Sequence, residues 1–216
     1  ALQSKRGRNI SCMRILVICD THFNTLEDIE SLEKYKYDID YCFCLGDISL
    51  GFLITLKRIF NDNIYGILGN HDRFDYLSLA NITNMNQTII ELDGLSILGL
   101  SGSWKYKDGD HILLSDKESI DIMNQFKQVN ILFSHDTYKD FDKTRWSHQG
   151  LLGITKYLTP KIFSSKYVDI NIHGHNHKKH NTMFKKTNVI GVFPFAIITI
   201  DKINNHANIT QVIHVE

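Results

Sequence analysis

The chain is 216 residues long, about one domain at the usual ~100–200 residues per domain. Its 24 Lys+Arg balance 24 Asp+Glu, for a formal net charge of zero and a pI near 7.3, which argues against capture of nucleic acid or anionic membrane by charge. A hydrophobic content of 43% excludes general disorder. Eleven histidines are many for this length, and imidazole is both a common metal ligand and the side chain that titrates near neutrality.

Residues 1–12 are polar, basic and aperiodic, and are set apart as a disordered arm or a remnant ahead of a natural start at Met13. Residues 13–216 read as a single α/β domain. An apolar run over 14–19 predicts a buried strand, and Leu26, Ile29 and Leu32 share one face of a predicted helix over 25–35. A strand over 41–45, a helix over 52–60 and a strand over 64–68 follow. Successive β-then-α units predict parallel pairing with helical crossovers.

The style then changes. Runs over 88–92 and 95–100 flank Asp93-Gly94, a type I′ hairpin signal. Ser115, with Glu118 three residues on, forms a capping box that opens a helix over 115–126. A strand over 129–133, a polar loop to about 149, a helix to about 158 stopped by Pro160 and a strand over 168–172 come next. The last third offers antiparallel candidates over 188–192, 195–200 and 209–215, with Asn204-Asn205 in the final turn. Cys19, Cys42 and Cys44 lie in strand runs and read as buried free thiols of a reducing compartment. No signal-peptide pattern is present, and no apolar run approaches the ~18 residues of a membrane span. A soluble, cytoplasmic protein that does not enter membranes is expected.

The chemistry sits at strand ends. The first strand runs into Asp20-Thr21-His22, the second into Gly46-Asp47 and the third into Gly69-Asn70-His71-Asp72. Ser134-His135-Asp136 and His173-Gly174-His175-Asn176-His177 follow two later strands. Each piece alone is weak, although the three histidines of the last already favour a metal. In order at five strand ends they bring carboxylate, imidazole and amide oxygen to one edge, where an α/β sheet places its ligand. This N/O set without thiolate suits Mn, Fe, Zn or Ni rather than a structural zinc cage. Seven candidate ligands exceed what one ion takes, and two ions ~3.5–4 Å apart form the clamp of hydrolytic phosphoryl displacement.

The order Asp-x-His, Gly-Asp, Gly-Asn-His-Asp, His, Gly-His-x-His resembles the calcineurin-like metallophosphoesterase family, from Met13 to about Val192. The resemblance implies a four-layer α/β/β/α sandwich of two mixed sheets flanked by helices. It implies two divalent metal ions, with manganese foremost: Asp20, His22 and His177 on one, Asn70, His135 and His175 on the other, and Asp47 bridging. His71 would be the general acid, oriented by Asp72. On that reading the cations neutralise phosphoryl oxygens and activate a bridging water as hydroxide for in-line attack. The Asp72 carboxylate would keep His71 protonated near pH 7 for the leaving oxygen.

Gly46-Asp47-Ile48-Ser49-Leu50-Gly51 departs from the family's Gly-Asp-x-x-Asp: the second Asp is Leu50, and the Arg of phosphoprotein phosphatases is missing. That removes a bidentate phosphate clamp. Among the other histidines, His173 is expected in the core, and His111, His180, His206 and His214 on the surface. His148 precedes a helix start and is a candidate phosphate contact. Trp104 and Tyr106 either stack a base or cover the sheet edge. The favoured substrate is a small phosphodiester, such as a cyclic nucleotide or nucleotide derivative; stable nucleic-acid binding is not expected, and no motif specifies an oligomer. The competing readings are a phosphomonoesterase or protein phosphatase at the same site, and a non-catalytic scaffold like the family's retromer subunit. Scaffolds lose ligands or the acid histidine, whereas all seven ligands and His71 are in place here.

Overall fold

A computed structural model describes residues 11–21, 32–109, 111–160 and 166–215. His22 and most of the helix predicted over 25–35 lie outside the described residues. The first half holds β1 (Ser11–Ile18), β2 (Tyr41–Cys44), α1 (Leu50–Phe60), β3 (Ile64–Gly66), α2 (Tyr76–Leu79), β4 (Thr83–Asn84), β5 (Ile89–Leu92) and β6 (Leu95–Leu100). Then come β7 (Ser103–Trp104), β8 (Leu113–Leu114), α3 (Asp116–Met123), β9 (Ile131–Ser134), a 3-10 turn (Trp146–His148) and α4 (Leu152–Leu158). The chain closes with β10 (Ile170–His173), β11 (His180–Phe184), β12 (Thr187–Gly191), β13 (Phe195–Ile203) and β14 (His206–Val215).

Two six-stranded mixed sheets result, in the orders β14-β13-β1-β2-β3-β4 and β11-β12-β10-β9-β6-β5. Strand alternation sorts the layers. Ile15, Val17 and Phe43 of the first sheet meet Ile131, Phe133, Ile170 and Ile172 of the second in a shared core. Leu16, Ile18, Cys42 and Cys44 point the other way, onto Phe52, Leu53, Leu56 and Ile59 of α1. Beyond the second sheet, Leu98, Leu132 and Val189 pack on Met123 of α3 and on Ile154 and Leu158 of α4. This is the four-layer sandwich expected from the sequence, with buried thiols at Cys19, Cys42 and Cys44.

Local chemistry accounts for the boundaries. The Ser49 hydroxyl accepts from Phe52 N at 3.3 Å and starts α1, while Lys57 and Arg58 fall in its last turn. The Ser115/Glu118 capping box opens α3 as predicted, though the helix stops at Met123. Asp93 and Gly94 both have positive φ, as a type I′ turn requires, and so do Asn204 and Asn205. β1 begins earlier than predicted, because β13 runs on to give Ser11 and Cys12 the partners Lys202 and Asp201; two residues of the segment set apart thus join the sheet. β12 is antiparallel to β11 but parallel to β10. No described helix is long and apolar enough to cross a membrane.

Candidate metal centre

β1, β2 and β3 lie side by side and parallel, so their carboxyl ends open at one edge, which the ends of β9 and β10 in the facing sheet also reach. Asp20 follows β1, Asp47 follows β2, Asn70 follows β3, His135 follows β9, and His175 and His177 follow β10. Asp20, Asp47, His175 and His177 take left-handed backbone, with φ of 53°, 53°, 61° and 51°. Asp and His tolerate this region better than most residues, and it turns each chain sharply off its strand. Gly69 lets the β2 and β3 turns touch: a Cβ there would lie 2.1 Å from Asp47 Oδ1.

His135 is fully buried. Its Nδ1 lies 2.7 Å from the Leu45 carbonyl, which holds a proton on Nδ1 and turns Nε2 inward. There Nε2 faces Asn70 Oδ1 at 3.0 Å and Asp47 Oδ2 at 3.5 Å. Oxygens converging on one ring nitrogen call for positive charge. Burial opposes it, but Asp47 above all, with Asp20 and the Leu45 carbonyl, raises His135 to about 10. Burial likewise works to raise Asp47, yet His135 and the His71 N–H, 2.8 Å from Oδ1, hold it well below the usual carboxylate range.

Asp20 Oδ2 accepts from His175 N at 2.7 Å. Its Oδ1 is buried without a hydrogen-bond partner, 3.4 Å from His177 Nε2. Donor atoms of Asp20, Asp47 and His135 all lie within 4.8 Å of one another. A buried carboxylate oxygen with only a histidine nitrogen at 3.4 Å, beside a second carboxylate and an inward-facing imidazole, fits a divalent cation with N/O preference. Asn70 donates from Nδ2 to the Tyr106 hydroxyl at 3.3 Å, which leaves its Oδ1 turned to His135. The His175 ring lies 5.0 Å from His135 and 4.6 Å from His148, with its Nε2 3.0 Å from the Ser147 carbonyl.

Asp72 has a different task from the one expected. Its Oδ2 accepts from Asp47 N and Gly69 N, both at 2.8 Å, and its Oδ1 from Ile48 N at 3.2 Å. Two tight turns leave these amides without strand partners, so the carboxylate goes to the backbone rather than to the His71 ring. Burial and the Asp47 charge push Asp72 up to about 6. The His71 ring stands edge-on to His111 at 5.8 Å. What burial it has, with Lys107 and His111 nearby, outweighs the pull of Asp47 and lowers its pKa.

Asp47, His71, Tyr106, Ser147, His148, His175 and His177 line one cleft of about 110 Å³. His148 Nδ1 is buried without a partner, and burial followed by His175 lowers this histidine to about 4. Asp20, Asp47, Asn70, His135, His175 and His177 thus lie together at this edge, with Asp20, Asp47 and His135 close enough to share one ion. Sequence reasoning missed His111, read as a surface residue, whose Nδ1 lies 3.2 Å from the Asn70 carbonyl; it sits 41 positions away, and no local pattern marks it. It also missed the Leu45 and Ser147 carbonyls, which no side-chain motif can display. His173 is buried as expected, but His180 is a strand residue whose Nε2 meets His173 Nε2 at 3.0 Å.

A family model described as the calcineurin-like phosphoesterase superfamily domain matches residues 13–194. Among solved structures, a putative 5′-nucleotidase from Staphylococcus aureus superposes with a TM-score of 0.62 at 15% identity, covering 94% of this chain and 53% of that one. This chain therefore spans about half the length of that protein. Phosphopantetheinyl hydrolase from Mycobacterium tuberculosis superposes with a TM-score of 0.60 at 12% identity, covering 83% of this chain and 89% of that one. At these identities the likeness is one of fold. No curated protein matches the sequence. With its domain match running from β1 to the turn before β13, the chain belongs to the calcineurin-like phosphoesterase superfamily.

Proposed function

We propose that this protein is a cytoplasmic hydrolase of small phosphodiesters, a cyclic nucleotide or nucleotide derivative, that works with two divalent cations, manganese or else iron, zinc or nickel. The observation that carries the reading is the buried convergence of Asp20, Asp47 and His135, one ligand atom of each lying within 4.8 Å of the others, beside an Asp20 Oδ1 that makes no hydrogen bond. Asp20, His22 and His177 would hold one cation and Asn70, His135 and His175 the other, with Asp47 between. When bound there, the cations supply charge for the phosphoryl oxygens and a lowered pKa for the attacking water.

The chain's own groups do the rest. The Leu45 carbonyl, accepting from His135 Nδ1, would leave Nε2 as the nitrogen that gives up its proton to face a cation, and Asp72 holds the Asp47 turn against the Gly69 turn. His71 faces the cleft and protonates the leaving oxygen; its ordinary preference for the neutral ring reverses when a phosphate anion lies beside it. His148, neutral near pH 7, offers a phosphate oxygen one hydrogen bond without added charge. The missing Arg near Asp47 favours a singly charged diester over a dianionic monoester. Buried free thiols fit a reducing compartment.

Hydrolysis of bis(p-nitrophenyl) phosphate tests the reading. Chelated protein should be inactive, Mn²⁺ should restore turnover, and p-nitrophenyl phosphate should turn over more slowly. Turnover that survives exhaustive chelation would contradict it.

A further inference from the structure

Trp146 leaves 67% of its surface in water, an unusual position for the largest apolar side chain, whose burial would favour folding. It is nonetheless held. Its ring meets Trp104 nearly perpendicular, 83° apart with centroids 4.9 Å apart, a contact that supports the ring and leaves most of its surface open. Trp104 is itself held, its backbone N–H donating to Asp136 Oδ2 at 3.0 Å beside His135 and its ring packed against the core of the second sheet. Trp146 opens the 3-10 turn whose next two residues, Ser147 and His148, line the cleft. Asp142, 5% exposed, ties this loop to Lys178, the neighbour of His177, and accepts from Thr144 N at 3.1 Å. Tyr106 brings a third ring to the same cleft, with its hydroxyl on Asn70.

We propose that Trp146, backed by Trp104, is a stacking shelf for a planar aromatic group on the phosphoester, which specifies a nucleoside phosphate. This rests on the phosphoesterase reading and assigns the side chain that would select a base-bearing substrate over a base-free one. A fixed ring with an open face one residue from the cleft wall is suited to a nucleobase, whose flat surface stacks whatever its hydrogen-bonding edge. A ribose phosphate has no π-face to stack.

The chain's two tryptophans are the shelf, so their emission reports on it directly. Binding of adenosine 5′-monophosphate and of ribose 5-phosphate, each with Mn²⁺, is followed by calorimetry and tryptophan emission. The nucleotide should bind more tightly and quench the emission, and ribose 5-phosphate should leave it unchanged. Trp146→Ala should weaken nucleotide binding by about 5- to 150-fold, the range of base stacking on an aromatic side chain. The same variant should leave ribose 5-phosphate affinity unaltered, and Trp146→Phe should recover part of the loss. If ribose 5-phosphate binds as well as the nucleotide, or Trp146→Ala weakens both alike or neither, the shelf is refuted and the phosphoesterase reading stands. If neither ligand binds, the shelf is refuted, and the phosphoesterase reading is decided separately by turnover of bis(p-nitrophenyl) phosphate.

Discussion

Replacing Phe43 with alanine asks whether the inter-sheet stack positions the metal centre. Phe43 of β2 and Phe133 of β9 are both fully buried, with rings stacked at 4.2 Å and 17° across the two sheets. Two residues further along each strand, Leu45 and His135 are joined by the 2.7 Å contact that fixes the His135 tautomer, and Asp47 lies two residues beyond Leu45. The aromatic pair therefore packs directly beneath Leu45 and the candidate ligands His135 and Asp47. Phe→Ala in a core costs about 3–5 kcal/mol, a large part of the ~5–15 kcal/mol that stabilises a typical domain. Stacking adds a pairwise part of about 0.5–1.5 kcal/mol beyond the buried area. Urea unfolding of the wild type, Phe43→Ala, Phe133→Ala and the double variant should show each single variant destabilised by about 3–5 kcal/mol. The double variant should be less damaged than the sum, by about 0.5–1.5 kcal/mol. The milder Phe43→Leu should stay folded and still weaken Mn²⁺ binding by calorimetry. Additive losses within ~0.3–0.5 kcal/mol, with unchanged Mn²⁺ affinity in Phe43→Leu, would refute the reasoning.

Gly69→Ala would place a Cβ 2.1 Å from Asp47 Oδ1 and 2.5 Å from Asp47 N, so it should lower stability by about 1–3 kcal/mol in urea unfolding, and weaken Mn²⁺ binding. His180 is held near 4 by burial, then by His214 and Lys178. A histidine depressed in the folded state contributes stability that is complete above its unfolded pKa near 6.5 and fades as pH falls toward 4, here by about 2 kcal/mol after allowance for partial exposure. His180→Gln should flatten the difference between urea unfolding at pH 7.5 and pH 4.5. His71→Ala should lower kcat on an alkyl diester by about 10²–10⁴-fold, as for loss of a general acid, and should spare an activated aryl diester, as compared in parallel steady-state assays.

The candidate ligand edge was legible because its residues sit where strands end: Asp20, Asp47, Asn70, His135 and His175 each follow an apolar run that announces itself. The hairpin turns at Asp93-Gly94 and Asn204-Asn205 were equally plain, since few residues accept positive φ. What stayed hidden depends on distant or backbone partners. Asp72 looked like a companion for its neighbour His71, yet the amides of Asp47, Ile48 and Gly69 claim it. β11, His-Asn-Thr-Met-Phe, alternates no apolar face and gains its place only by pairing with β12. Two-residue strands such as β4, β7 and β8 are too short for any period to register. His111 reaches Asn70 and His71 only through the tertiary fold.

The central claim is that the Asp20, Asp47 and His135 cluster holds divalent cations. Elemental analysis of Mn²⁺-loaded protein after removal of free metal, comparing wild type with Asp47→Asn, tests it most directly. The account predicts two ions per wild-type chain, and at most one in a folded Asp47→Asn variant. A wild type that retains no ion under any loading condition, or an Asp47→Asn variant that retains as many as the wild type, would contradict it.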